Sequence, residues 1–194
     1  MANKKLELQQ IYRFDSVDDT YVIDISLDNY LEIFNEWDRS PIRRKDLNHE
    51  LFDYLEEAAY EIPLKYKTKI LFGIPEKVKD KKRQENAITG LRNNFRYVIH
   101  FINRTLSTNN RKSILYALLG LLFIIMSTVF EQFLPDTFFF TILAQGIFVG
   151  GWVLLWEAFS LFIFISYEHR DRRKRYRRYL ESVIEFTYLT PPKK

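Results

Sequence analysis

A chain of 194 residues without a single cysteine has no disulfide framework, no thiolate metal site and no cysteine nucleophile, so packing alone must hold its fold together. Its 29 Lys and Arg against 25 Asp and Glu give a net charge of +4, but the charge is unevenly spread and almost vanishes between Ser113 and Tyr167. Setting that stretch aside leaves enough chain for one modest soluble core.

The first residues, Met1-Ala2-Asn3-Lys4-Lys5-Leu6-Glu7-Leu8, lack the apolar core of a secretory signal, and the expectation is that nothing is cleaved there. From Tyr21 to Leu27 the run YVIDISL sets Ile23, Ile25 and Leu27 against Asp24 and Ser26, the period of a strand with one buried face. Asp28 then reads as a cap for a short helix over Asn29–Trp37, ended by Asp38-Arg39-Ser40-Pro41 because residues before proline avoid helical geometry. Asp46 reads as the cap of a second helix through Tyr60, with Leu47, Leu51, Tyr54, Leu55 and Ala58 on one stripe, and Pro63 closes it.

A second strand is expected over Lys65–Phe72, where Lys65, Lys67 and Lys69 line a basic open face. After Pro75 and a basic stretch from Lys77 to Arg83, the residues Ile88, Leu91, Phe95, Ile99, Ile102 and Leu106 recur at helical spacing, predicting a helix that leads into the uncharged region. Ser113–Phe130 then runs 18 residues without a charge, near the roughly 20 that cross hydrocarbon. A second apolar run begins at Phe138 and continues past Glu157 to Tyr167. The link Glu131-Gln132-Phe133-Leu134-Pro135-Asp136-Thr137 holds a helix-breaking proline, two carboxylates and no cation.

Arg111 and Lys112 precede the first span, while Arg170, Arg172, Arg173, Lys174, Arg175, Arg177 and Arg178 come after the second, so the positive-inside rule sets both ends in the cytoplasm. A fold back about Leu134 sets Glu157 level with Arg111 and Lys112, where an ion pair is the favoured reading over a proton or ion site. The same register sets Leu161–Ser166 opposite Ile102–Leu106. Gly146 and Gly150 form a GxxxG pattern that suits packing against the first span, packing between copies, or neither; Ala117 and Gly120 offer a similarly smooth face. Beyond the basic tail, Val183–Leu189 (VIEFTYL) reads as a strand returning to the sheet begun before the spans.

No Gly-rich phosphate loop, HExxH or GxSxG occurs, and His49, His100 and His169 fall on different elements, so no cofactor, metal or catalytic residue is expected. The loop Trp37–Asp46 combines an aromatic with Arg39, Arg43, Arg44 and Lys45. These are candidate contacts for an anionic ligand or lipid, with Trp37 in the core if the loop is merely a solvated turn. Arg172, Arg173 and Arg175 are further candidate lipid contacts, and the interleaved Tyr176 and Tyr179 do not suffice for nucleic-acid binding.

The pairing of LDNYLEIFNEWDRSPIRRKDL early in the chain with GGWVLLWEAFSLF before a basic tail resembles a group of small, uncharacterised bacterial two-span membrane proteins. That resemblance implies topology and brings no activity or site residue with it. The expected fold class is α+β: a cytoplasmic domain over residues 1–108, a transmembrane helical hairpin over 109–167 with spans at about 113–134 and 138–160, and a basic tail over 168–194 carrying the returning strand. The expected function is that of a non-enzymatic protein of the bacterial inner membrane, an anchored sensor, adaptor or scaffold. Its expected partners are anionic inner-leaflet lipids, further copies of itself, and a cytoplasmic protein or anionic ligand. The alternatives are an oligomeric membrane-perturbing effector or channel, for example in stress or phage defence, and, behind it, an enzyme at the membrane surface.

Overall fold

The structure, a computed structural model, describes residues 8–133 and 137–189. It is mixed α and β, with a four-stranded sheet and two long apolar helices. The chain divides into two compact units, Met1–His100 with Arg173–Lys194, and Phe101–Arg172. The expected turn residues Leu134, Pro135 and Asp136, and the N-terminal stretch through Glu7, lie outside the described residues.

In the first unit the strands run in the order β1-β2-β3-β4. Strand β1 (Arg13–Asp15) is antiparallel to β2 (Thr20–Ser26), while β2, β3 (Lys67–Pro75) and β4 (Val183–Leu189) are parallel. Parallel neighbours need a crossover between them. The first crossover contains α1 (His49–Glu61), and the second contains everything from α2 (Lys81–Phe133) through α3 (Phe138–Ser160) and a π-helical turn (Leu161–Ile165) to α4 (Ser166–Glu181). The apolar helices are thus an insertion within one parallel crossover.

Alternation decides the two faces of the sheet. Tyr21, Ile23, Ile70, Phe72, Ile74 and Ile184 are buried, and the same core receives Leu51, Leu55 and Ala58 of α1, Ala87, Leu91 and Phe95 of α2, and Tyr176 and Tyr179 of α4. Phe95 stacks on Tyr179 with ring centroids 5.5 Å apart, and the buried Tyr179 hydroxyl donates to the Leu55 carbonyl at 2.6 Å, satisfying the one polar atom this ring brings into the core. Three arginine contacts complete the packing of α1: Arg178 donates to the Ala59, Ile62 and Pro63 carbonyls. Those are carbonyls at the helix end that lack intrahelical partners.

Several boundaries differ from expectation for identifiable reasons. Only a 3₁₀ turn, Tyr30–Ile33, forms where a helix through Trp37 was expected, and its cap is Asn29 rather than Asp28. Phe34 instead turns extended and bridges Leu47, which ends the helix early. The same bridge delays α1: Asp46 accepts at its carbonyl from Asn35, so the cap falls to Asn48, whose side chain accepts from Glu50. Strand β3 starts two residues later than expected and continues to Pro75.

In the second unit α2 and α3 pack antiparallel through small residues. The Ser113 hydroxyl donates to the Ala158 carbonyl at 2.7 Å and the Ser127 hydroxyl to the Ala144 carbonyl at 2.8 Å. Midway, Gly120 meets Gly151 so closely that a Cβ on either would lie 2.8–2.9 Å from the other's carbonyl oxygen. Each helix therefore offers a small residue every seventh position, Ser113, Gly120, Ser127 and Ala144, Gly151, Ala158, which is the seam of two supercoiled helices.

This register is three residues out of step with a fold back about Leu134. Glu157 comes level with Ile114 rather than with Arg111 and Lys112, and among the described residues the expected ion pair does not form. Nor does Gly146 pack within the hairpin: a Cβ there would meet nothing within 4 Å, and one on Gly150 only the Phe123 ring at 3.6 Å. Gly151→Leu should accordingly destabilise the detergent-solubilised chain by about 1–3 kcal/mol, as overpacking does. Gly146→Leu should stay within about 0.5 kcal/mol. Thermal unfolding of the two variants checks the pair, and equal losses would contradict the assignment of the seam.

Candidate functional site

Small residues inside the hairpin leave the large ones outside. Ile114, Leu118, Leu121 and Ile125 on α2 and Phe139, Ile142, Val149, Trp152, Val153 and Trp156 on α3 are all exposed, Leu118 to 63% and Trp156 to 65%. Both helices are long and apolar enough to cross a membrane. The arrangement inverts the rule for water-soluble proteins, whose large apolar side chains sit inside and whose exposed apolar patches stay within a few hundred Å². Glu157 is exposed within this surface, flanked by Trp156 and Phe159.

At Leu161–Ile165 the helix widens into a π turn, and the buried Ser166 hydroxyl donates to the Leu161 carbonyl at 2.9 Å. Inserting a residue into the helical ladder rotates the side chains beyond it about the axis. Phe162, Phe164 and Tyr167 are exposed to 51%, 59% and 73%. Carrying the register past Ala158 sets this apolar stretch beside Arg104–Lys112, a polar segment whose Arg104, Arg111 and Lys112 are exposed. The two helices therefore lose their apolar character at different levels.

In the first unit the loop Trp37–Asp46 is a built platform rather than a slack turn. Asp38 accepts from the Ser40 and Asp46 amides, each at 2.8 Å, tying the ends of the loop together. Asn93 and Asn94 on α2 donate to the Arg43 and Lys45 carbonyls at 2.7 and 2.8 Å, and Asn86 accepts from the Arg43 guanidinium at 2.8 Å. Gly90 makes room for the loop, since a Cβ there would sit 2.5 Å from the Ile42 carbonyl oxygen and 2.8 Å from the Phe34 ring. Trp37, expected in the core of a plain turn, is instead 92% exposed, because Phe34 has taken the buried position. Arg39 and Arg44 are exposed beside it and Lys45 is half-buried. Such a rigid aromatic with adjacent guanidiniums suits an anionic group presented with an apolar or planar face.

The other cations are distributed differently. Arg175 donates to the Ala59 and Tyr60 carbonyls and lies over the Tyr60 ring at 4.6 Å, so with Arg178 it closes the end of α1. Arg172 and Arg173 are half-buried and make contacts within the chain. Arg111 is exposed on α2. Of the loop cations Arg43 is held by Asn86 and Arg39 and Arg44 are exposed, while Arg175 and Arg178 of α4 are bonded to carbonyls of the first unit. A third feature, the open face of the sheet, forms a groove of about 780 Å³ in which Arg13, Lys67 and Lys69 alternate with Asp15, Asp18 and Glu185; Lys69 and Glu185 pair at 2.6 Å and Arg13 and Asp24 at 3.3 Å. Exposed pairs of this kind contribute little to stability. Among the described residues no group of three His, Asp or Glu side chains is disposed to hold a metal.

No protein-family model, curated protein or solved structure matches the chain. The functional features sequence reasoning missed were nevertheless written in it. The seven-residue spacing of small residues in both spans marks the seam, and Asn86, Asn93 and Asn94 recur on one side of α2. The two backbone donors, first Ser40 and then Asp46, hold the Asp38 carboxyl below its ordinary value of 3.8. A depressed folded value means that its contribution is present above about pH 4 and is lost as pH falls through the lowered value. The loop should therefore keep its form through the ordinary carboxylate range and loosen only below it. Asp38→Ala should raise amide exchange at Ser40 and Asp46 several-fold at pH 7; unchanged protection would contradict the account.

Proposed function

We propose that this chain is a non-enzymatic integral membrane protein of the bacterial inner membrane. The hairpin crosses the bilayer, both termini are cytoplasmic, and the first unit acts as an anchored adaptor, sensor or scaffold that meets a protein or anionic ligand through the Trp37 loop. The observation that carries the reading is the inverted hairpin, with serine, glycine and alanine at its seam and leucine, isoleucine, phenylalanine and tryptophan outside. In water that exterior is untenable, whereas in hydrocarbon it costs nothing and small-residue packing is what joins the helices. Ser113–Phe133 at 1.5 Å per residue measures about 31 Å, the thickness of the hydrocarbon core.

Orientation is supported by charge and by connectivity. Arg111, Lys112 and Arg170 lie at one end of the uncharged helices and Glu131 at the other, and cations remain with the cytoplasm. The strands β3 and β4 that flank the insertion pair with one another, which requires both ends of the hairpin to emerge on one side. Depth is set by α2: sinking the hairpin until the apolar stretch after Ala158 were immersed would draw Arg104, Arg111 and Lys112 into hydrocarbon at about 2.5–3.5 kcal/mol each. The boundary on α2 is therefore at Lys112.

A second reading, an effector or channel assembled from several hairpins, draws on Glu157, a carboxylate on the apolar exterior without an ion pair among the described residues. It requires ion flux that Glu157→Gln changes. For the leading reading the cysteine-free sequence permits single-cysteine mapping directly. The chain should stay with membranes through alkaline carbonate extraction. Gln132→Cys should react with an impermeant maleimide from outside the inner membrane, while Ser40→Cys should react only after lysis. Release into the aqueous fraction, or reactivity of Ser40→Cys in intact spheroplasts, would refute the proposal.

A further inference from the structure

The hairpin carries a mismatch that neither lipid nor water resolves. On α2 the charge-free surface stops at Lys112, but on the other helix the uncharged stretch continues for nine residues beyond Ala158, to Tyr167, and exposes Phe159, Phe162, Ile163, Phe164, Ile165 and Tyr167. At 1.5 Å per residue that is about 13 Å of apolar helix, running beside a segment that exposes Arg104, Arg111 and Lys112. Lipid deep enough to cover Phe162–Ile165 would also engulf Arg111 and Lys112. Water that solvates the cations leaves the aromatics bare. A protein surface can cover one flank and leave the other wet.

From this we infer that the flank formed by Glu157 and Phe164, about two helical turns apart on one side of the helix, is a self-association surface, and that its occupant is a second copy of the chain in the same bilayer. The inference rests on the membrane reading above. Charge complementarity selects the occupant. In a two-fold pair with its axis along the membrane normal, each level of one copy meets the same level of the other. Glu157, level with Ile114, then stands about 3 Å along the axis from the neighbour's Lys112, by the rise of two helical residues, and Arg111 lies one residue beyond. Both cations are exposed, and among the described residues neither has an ion pair within its own copy. The contact therefore covers the Phe164 side of each copy and gives each Glu157 the cation it lacks. An intramembrane carboxylate is rarely left without such a partner.

The test uses the full-length chain in native membranes. Single cysteines are placed across Phe162–Ile165 and, as controls on the exterior of α2, at Leu118 and Leu122, and are oxidised with copper phenanthroline. Phe164→Cys should give a disulfide-linked dimer at several times the yield of the controls and of Phe162→Cys on the opposite side. Adding Glu157→Lys should reduce that yield several-fold, and combining it with Lys112→Glu and Arg111→Glu should restore it. Equal yields at all positions, no dimer at any, or a yield indifferent to the charge exchange would each overturn the inference. Coverage of the patch by lipid alone would show as the second of these outcomes. A chain that failed to sediment with membranes would instead defeat the membrane reading, which is scored separately before oxidation.

Discussion

Two helix backbones meet at Gly120 and Gly151, where a Cβ on either would lie 2.8–2.9 Å from the other's carbonyl oxygen, and that contact accounts for the form of the hairpin. Backbones that touch leave no room between them at the contact for side chains larger than serine or alanine, so Ile124 and Leu155 pack around the glycines while most of the large apolar side chains of the two apolar stretches point away. The serine hydroxyls that flank the contact donate to carbonyls of the facing helix, tying the seam by groups that would gain little from association in water, where solvent competes for them. In an apolar solvent the same bonds and the same close packing are what holds two helices together. The hairpin, whose helices are long and apolar enough to cross a membrane, is thus built unlike the sheet.

Insertion into a parallel crossover reconciles the two. The strand β4 exists only after the chain has passed through both apolar helices, yet it pairs with β3 over seven residue positions and brings Ile184 and Phe186 to the core. The sheet therefore cannot be completed until the hairpin has been made and has returned. The helix between, α4, contributes Tyr176 and Tyr179 to that core and caps the end of α1 through Arg175 and Arg178. Arg175 and Arg178 thereby satisfy carbonyls at the end of α1.

Much of the architecture could be read from pattern. Alternation located β2, β3 and β4, and the absence of charge located both apolar helices, because period and solvent preference are properties of a local stretch. The matters that escaped are decided by distant partners. The register of the hairpin was taken from its bend, whereas it is decided by the sevenfold spacing of small residues, and three residues of difference moved Glu157 away from Arg111. Trp37 was expected in the core if the loop were a plain solvated turn, but Phe34 is buried instead and Asp38 uses its carboxylate to close the loop that displays the indole. Asp28 and Asp46 looked like helix caps; Asn29 and Asn48 serve instead, since the Phe34–Leu47 bridge shifts the start of the next helix. The asparagines Asn86, Asn93 and Asn94 recur on one side of α2, but what they hold is a chain segment some fifty residues away, which their spacing alone does not specify.

The central claim concerns the surroundings of Trp152 and Trp156, and tryptophan fluorescence addresses it directly. With Trp37→Phe removing the loop indole, these two residues are the remaining tryptophans of the chain. Reconstituted into bilayers whose acyl chains carry bromine, their emission should fall to a small fraction of that in unbrominated lipid, because both indoles face outward from the hairpin. Emission indifferent to bromination, with a maximum characteristic of water, would contradict the account.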